Sequence, residues 1–183
     1  MRFSPRSHAR FVCGCLVSMC TLLLLVHGLG FRLVISRSVP RGLYRAVAVP
    51  VQRGTLVAVC LSPAVATFAA TRHYVPWGTC SGGTQPVVKP IGAVAGDTVE
   101  LRADRVVVNG KPLPNSATLA HDTQERPLPH MPWGRYVVGA DEVWLFATHI
   151  RESWDSRYFG PIARTRILTT ARPVWTERRG GQG

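Results

Sequence analysis

Three separated stretches hold the side chains that could do covalent chemistry. Ser36-Arg37-Ser38-Val39-Pro40-Arg41-Gly42 places two hydroxyls at alternate positions. In extended backbone these point the same way, with Pro40 fixing the chain behind them and Gly42 permitting a turn. One hydroxyl can attack while the other donates a hydrogen bond, although Ser-x-Ser-x-Pro by itself suits an inert loop equally well. Lys89 lies inside a largely apolar run, beside Val87, Val88 and Ile91. A solvated strand-edge lysine is one reading. The other is an amine desolvated by its neighbours, its pKa lowered from about 10.4 by as much as ~3 to 5 units into the range of a general base. Ser153-Trp154-Asp155-Ser156-Arg157-Tyr158-Phe159-Gly160-Pro161 adds hydroxyls, a carboxylate and a guanidinium. His149 supplies a rival arrangement, a Ser/His site with Asp155 orienting the imidazole.

The elements that must position these groups read as mainly β. Leu43 to Val49 and Leu56 to Cys60 are valine-rich and separated by Pro50 and Arg53-Gly54, which predicts two strands joined by a turn. Pro63 to Arg72 is alanine-rich behind a proline and predicts a short helix running into a Gly/Pro-rich loop from Val75 to Gln85. Gly96-Asp97 and Asn109-Gly110 are turn signals around Val99, Leu101 and Val106 to Val108, a meander of short strands. Five prolines from Pro112 to Pro132 mark a long surface excursion. Arg135 to Val138 and Glu142 to Phe146 predict two further strands, and Ile162 to Leu168 a last one that closes the sheet.

Charge and hydropathy set the context. Phe11 to Phe31 is 21 residues without Asp, Glu, Lys or Arg. At ~1.5 Å per residue such a helix spans a hydrocarbon core of about 30 Å. Arg2, Arg6, His8 and Arg10 precede it, which places the N-terminus in the cytoplasm and the rest outside. A cleaved signal peptide is the competing reading, but its apolar region is shorter, about 7 to 15 residues. The expected organisation is a basic cytoplasmic segment (1–10), a single transmembrane helix (11–31), one periplasmic domain (32–175) and a disordered basic tail (176–183). The formal charge of +12 comes from scattered or terminal residues. No nucleic-acid motif accompanies it, so anionic membrane lipid is the expected electrostatic partner rather than nucleic acid. Cys13, Cys15 and Cys20 fall inside the apolar run, whereas Cys60 and Cys80 form an even pair in an oxidising compartment and are a disulfide candidate. No metal-ligand spacing and no Gly-rich phosphate loop occur, so neither metal nor cofactor is expected.

Taken together, Ser36-x-Ser38-x-Pro40 after an apolar anchor, Lys89 eight residues before the Gly96-Asp97 turn, and Ser153-x-Asp155-Ser156-Arg157-Tyr158-Phe159-Gly160 resemble the ordered boxes of the type I signal peptidases, the S26 Ser/Lys peptidases. The extended form through Gly42-Leu43-Tyr44, with Phe159-Gly160-Pro161, looks most like the conjugative-transfer, TraF-type branch. The resemblance implies a signal-peptidase-like β domain of short antiparallel strands. Ser38 is then the nucleophile and Lys89 the general base. The Ser38 N–H and Ser36 hydroxyl form the oxyanion hole. Ser153 directs the lysine, and Asp155 and Arg157 pair beside it. It further implies an inner-membrane serine endopeptidase that forms an acyl-enzyme on an exported preprotein, a conjugative prepilin, with the transfer apparatus as a further partner. Two alternatives are a general type I signal peptidase and a noncatalytic envelope component. The chain departs from the general enzymes in carrying Ala147-Thr148-His149-Ile150-Arg151-Glu152 before Ser153 and Pro90 after Lys89.

Overall fold

Runs of valine and isoleucine punctuated by Gly, Pro and Asn bury one face per strand, and the architecture follows from that alternation. The computed structural model describes residues 5–36 and 38–177. Helix α1 (Pro5–Gly28) leads into β1 (Phe31–Val34), β2 (Gly42–Val47), β3 (Leu56–Val59), α2 (Pro63–Thr71), β4 (Val87–Val94), β5 (Thr98–Leu101), β6 (Val106–Val108), β7 (Lys111–Pro112), β8 (Gly134–Val137), β9 (Glu142–Leu145), α3 (Ser156–Phe159), β10 (Ile162–Ala163) and β11 (Ile167–Thr176). Among the described residues two antiparallel sheets form, ordered β1-β2-β11-β3-β4-β9-β10 and β7-β6-β5-β8. The fold is mainly β, as the sequence predicts.

Four predicted features differ. The helix ends at Gly28, and Phe31 already pairs with Arg45 in β1. Gly30, at φ +83, supplies the left-handed residue that releases the chain from the helix. Among the described residues no helix is long and apolar enough to cross a membrane. The strands β2 and β3 do not form a hairpin, because β11 inserts between them, pairing Ala171 with Ala46 on one side and Leu56 on the other. Gly42 is a strand residue rather than a turn. Its φ is +156, and a Cβ there would run into the backbone carbonyl of Trp175 on β11. The strands β8 and β9, adjacent in sequence, belong to different sheets, so Gly139 to Asp141 is a crossing between layers. The predicted basic N-terminal segment and tail lie partly outside the described residues, at 1–4 and 178–183.

Two cores stabilise the domain. Val57, Val59, Ile91 and Leu145 of the larger sheet, with Leu61 just after β3, pack on Ala66 and Ala69 of α2. Val99, Leu101, Val106 and Val108 of the smaller sheet close over Ala93, Trp144 and Phe146. A third, small cluster matters most for the site: Val34, Val39 and Tyr44, with Leu56 and Val88 against them. It brings the first strand of the larger sheet across to the fifth, so the sheet curls upon itself.

Cys60 and Cys80 are joined, with Cα atoms 5.5 Å apart. The bridge ties the end of β3 to the Gly-rich loop that returns into β4. Closing a loop of this order restricts the unfolded chain by about 3 kcal/mol in the entropy model. Reduction is therefore expected to lower the melting temperature of the full chain, and Cys60→Ala/Cys80→Ala to lower it equally and abolish the response to reductant.

Candidate active site

Strand β4 sets the position of the lysine. Its burial alternates, with Lys89, Ile91 and Ala93 on the inward side. Lys89 thus occupies a core position by register, and only 6 % of it is exposed. Ser38 lies between β1 and β2, on the segment whose Val39 and Tyr44 are buried against Leu56 and Val88. The Tyr44 hydroxyl donates to the Pro40 carbonyl at 2.6 Å and pins this segment from within. Curling of the sheet then delivers the serine to the lysine: Lys89 Nζ is 2.6 Å from Ser38 Oγ.

A second hydroxyl completes the amine's surroundings. Lys89 Nζ is 2.7 Å from Ser153 Oγ, itself 3.3 Å from Ser38 Oγ. The Ser38 N–H donates to Ser36 Oγ at 3.2 Å, so the two expected oxyanion donors are neighbours. Burial is the largest influence on the Lys89 ammonium and lowers its pKa from 10.5 to about 8, while the Asp155 carboxylate raises it and the Arg157 guanidinium lowers it in turn. At pH 7 about one molecule in ten then carries the neutral amine, against fewer than about one in a thousand for an ordinary lysine. Serine has a usable proton acceptor only in that neutral form.

The support behind Ser153 is a buried ion pair. Asp155 and Arg157 are 0 % and 1 % exposed, with Arg157 Nε donating to Asp155 Oδ1 at 2.8 Å and Nη2 to Oδ2 at 2.9 Å. The pair is also an anchor for backbone. Arg157 Nη2 donates to the Ser153 carbonyl at 2.6 Å and Nη1 to that of Ala117 at 2.6 Å. Asp155 Oδ2 accepts from the Ala147 N–H at 3.0 Å and Oδ1 from the Arg157 N–H at 3.2 Å, capping α3. The carboxylate is committed to these partners. His149 sits at the opposite side of Ser38, lining a cleft.

All the expected site residues on the Ser/Lys reading therefore converge. Two features escape sequence reasoning. Tyr44 lies within the recognised Ser-x-Pro-x-Gly-Leu-Tyr stretch, but its anchoring role has no local signature. The Tyr74 hydroxyl donates to Asp122 Oδ2 at 2.5 Å, and Arg126 Nε donates to the same oxygen at 2.7 Å, locking the proline-rich excursion to the end of α2 along one wall of the site. These carboxylate contacts hold Asp122 well below the usual range against the opposing effect of burial.

The described residues thus bring a serine hydroxyl within hydrogen-bond distance of a desolvated amine on a curled β sheet. Residues 12–176 match the family model described as signal peptidase, peptidase S26. The chain belongs to that family. It is 38 % identical over 172 residues to an Escherichia coli plasmid transfer protein TraF, covering 91 % of this chain and 96 % of the relative. A conjugal transfer protein TraF of Agrobacterium fabrum is also 38 % identical, over 179 residues, 94 % of this chain and 98 % of the relative. Signal peptidase I of Enterococcus faecalis V583 is similar at 19 % identity with a TM-score of 0.38, over 68 % of this chain and 97 % of that one.

Two outcomes follow from the electrostatics. Because the folded pKa of Lys89 is depressed, the unfolded chain binds the extra proton between about pH 8 and 10.5, and stability contributed by this group rises with pH across that window. Lys89→Met is expected to melt higher than the parent at pH 7, with the gain narrowing above pH 8. Arg157→Met leaves Asp155 buried and unpaired, and is expected to lose about 3 to 5 kcal/mol in denaturant titration.

Proposed function

We propose that the protein is a membrane-anchored serine endopeptidase of the signal peptidase type, cutting an exported preprotein at the outer face of the inner membrane. The observation that carries the reading is the 2.6 Å approach of a buried lysine amine to Ser38 Oγ. Neutral Lys89 takes the proton of Ser38 as Oγ attacks the scissile carbonyl. The oxyanion is stabilised by the Ser38 N–H and, after a rotation of its side chain, the Ser36 hydroxyl; one such donor elsewhere is worth about 10² to 10³ in rate. Lys89 then passes the proton to the leaving amine, the acyl-enzyme remains on Ser38, and water activated by the same lysine releases it. Ser153 keeps the amine aimed at Ser38.

The substrate lies beside the free edge of β1 as an added strand. A cleft of about 510 Å³ runs along this edge from Ser38 and Lys89, walled by Val34, Ile35, Val87 and Val88. Alternate side chains of the segment before the cut enter it, and small residues such as Ala fit next to the scissile bond. Anchoring by α1 is supported by its surface: Leu16, Val17 and Leu22 to Leu25 are more than half exposed on a helix bearing apolar residues on every side. The substrate on this reading is a conjugative pilin precursor, and the transfer proteins among the relatives support the conjugative setting.

Co-expression with candidate exported precursors, read by intact mass, tests the proposal. Shortening is expected with the wild-type chain and expected to fall by orders of magnitude in Ser38→Ala and Lys89→Ala. Lys89→Arg stays inactive because guanidinium does not give up its proton. His149→Ala costs little, and kcat/KM rises with pH through an apparent pKa near 8. Loss of activity in His149→Ala with retention in Lys89→Ala would replace the lysine by the imidazole. Equal processing by the wild type and Ser38→Ala would leave a noncatalytic component of the transfer machinery.

A further inference from the structure

The cleft that takes the segment before the cut extends well past the reacting groups. One wall runs back from Ser38 along β1 to Leu33, and the other runs back from Lys89 through Val88 and Val87 to Gln85. Val34 and Val88 belong to one apolar cluster, which holds the two walls in step. From Lys89 to Gln85 is four residues, about 13 Å at ~3.3 Å per residue of extended chain. A peptide lying along these walls therefore reaches Gln85 with about its fourth residue before the scissile bond. The rest of the precursor continues beyond that point.

Beyond Gln85 stands the bridged loop. The Gln85 N–H donates to the Pro76 carbonyl at 2.9 Å, Trp77 pairs with Thr84, and the Gly78 N–H donates to the Gly83 carbonyl at 2.9 Å. These contacts make a short antiparallel ribbon, tied at Cys80 to Cys60. Pro76 and Gln85 line the cleft, and Trp77 is the next residue after Pro76. Its indole lies over Gly83, where an added Cβ would meet the ring at 3.6 Å. The ring is thus held on a rigid ribbon and is still 69 % exposed. On the β1 wall, Leu33 and Ile35 are 72 % and 74 % exposed. A single apolar side chain in water needs no explanation, but three large ones around one cleft mark a surface for an apolar occupant.

We infer that Trp77, with Leu33 on the β1 wall, forms a subsite for an apolar side chain about five residues before the scissile bond. The inference rests on the endopeptidase reading and extends its specificity beyond the small residues next to the cut. The occupant follows from continuity, since a polypeptide with its scissile bond at Ser38 leaves the cleft beside Pro76 and Trp77. The indole offers a large flat surface that loses little freedom on contact, because the bridged ribbon already holds it.

The test uses the full chain in detergent and precursors carrying Leu, Ala or Gln at one position at a time, from the fourth to the sixth before the cut. The wild type is expected to process Leu over Gln by about fivefold in kcat/KM at one of these positions, through KM, and to keep the preference in high salt. Trp77→Ala should bring the ratio to about one, and Trp77→Phe should keep most of it. Leu33→Gln, at an exposed position outside the bridged loop, should lower the ratio as well, so the result does not hang on one variant. The inactive Ser38→Ala chain should bind a peptide ending at the cut about fivefold more tightly with Leu than with Gln, and should lose the difference when Trp77→Ala is added. Ser38-dependent processing at equal rates across the series, or a Leu preference that survives Trp77→Ala, overturns the subsite while the peptidase stands. So does a Trp77→Ala defect that appears only in lipid vesicles and is equal for every precursor, which assigns the ring to the bilayer surface. Processing that does not depend on Ser38 overturns both.

Discussion

The structure turns on the exclusion of water from one amine. Lys89 follows the two-residue period of β4 in phase with Ile91 and Ala93, so it is carried into the interior by the same pleat that buries the core. An ammonium in that position is expensive, and the cost appears as a lowered pKa rather than as a rearranged strand. Everything nearby limits how far this goes. The Asp155 carboxylate favours the charged form and the adjacent guanidinium opposes it, while the pair holds the Ser153 backbone in place. Two hydroxyls meet the amine and leave it satisfied in either protonation state.

That constraint explains the wider layout. A buried amine needs dry walls around the one cleft it opens on. The wall on the nucleophile side is the cluster of Val34, Val39 and Tyr44 meeting Leu56 and Val88. On the Ser153 side it is aromatic: Trp154 stacks on Phe68 of α2 with centroids 6.0 Å apart and meets Phe159 edge-on at 4.9 Å. The helix α2 and the bridged loop behind it therefore serve the site although none of their residues is placed in the chemistry. The second sheet stands farther off, and its turn at Gly96-Asp97 is held by Asn109 Nδ2 donating to Asp97 Oδ1 at 2.7 Å.

Much of this was legible in the sequence, for a physical reason. Alternation, turn residues and the isolated lysine are local signals, and they located α2, the β5–β6 meander and the three stretches that form the site. Lys89 stood out because a charged residue in an apolar run has few stable environments. Non-local pairing left no such trace. Nothing in Ile162 to Leu168 indicates that the chain continues as a strand to Thr176 and wedges between β2 and β3, since sequence neighbours are the default partners and only the close approach at Gly42 betrays a third strand. The layer change between β8 and β9 and the Tyr74–Asp122 clamp were hidden for the same reason: each depends on a partner tens of residues away or on a curvature that no window of sequence records.

The wedged strand has a temporal meaning. Ser38 belongs to the part of the sheet built on β1 and β2, Lys89 to the part built on β3 and β4, and β11 is the hydrogen-bonded seam between them. A nascent chain that has emerged only as far as β10 possesses Ser36, Ser38, Lys89 and Ser153, yet lacks the strand that joins their two halves. Bringing residues this far apart in sequence into one ladder is slow compared with forming local structure. Assembly of the reactive pair is thus postponed until residues through Thr176 have been delivered. Ser38 and Lys89 therefore meet only once the last long strand is in place.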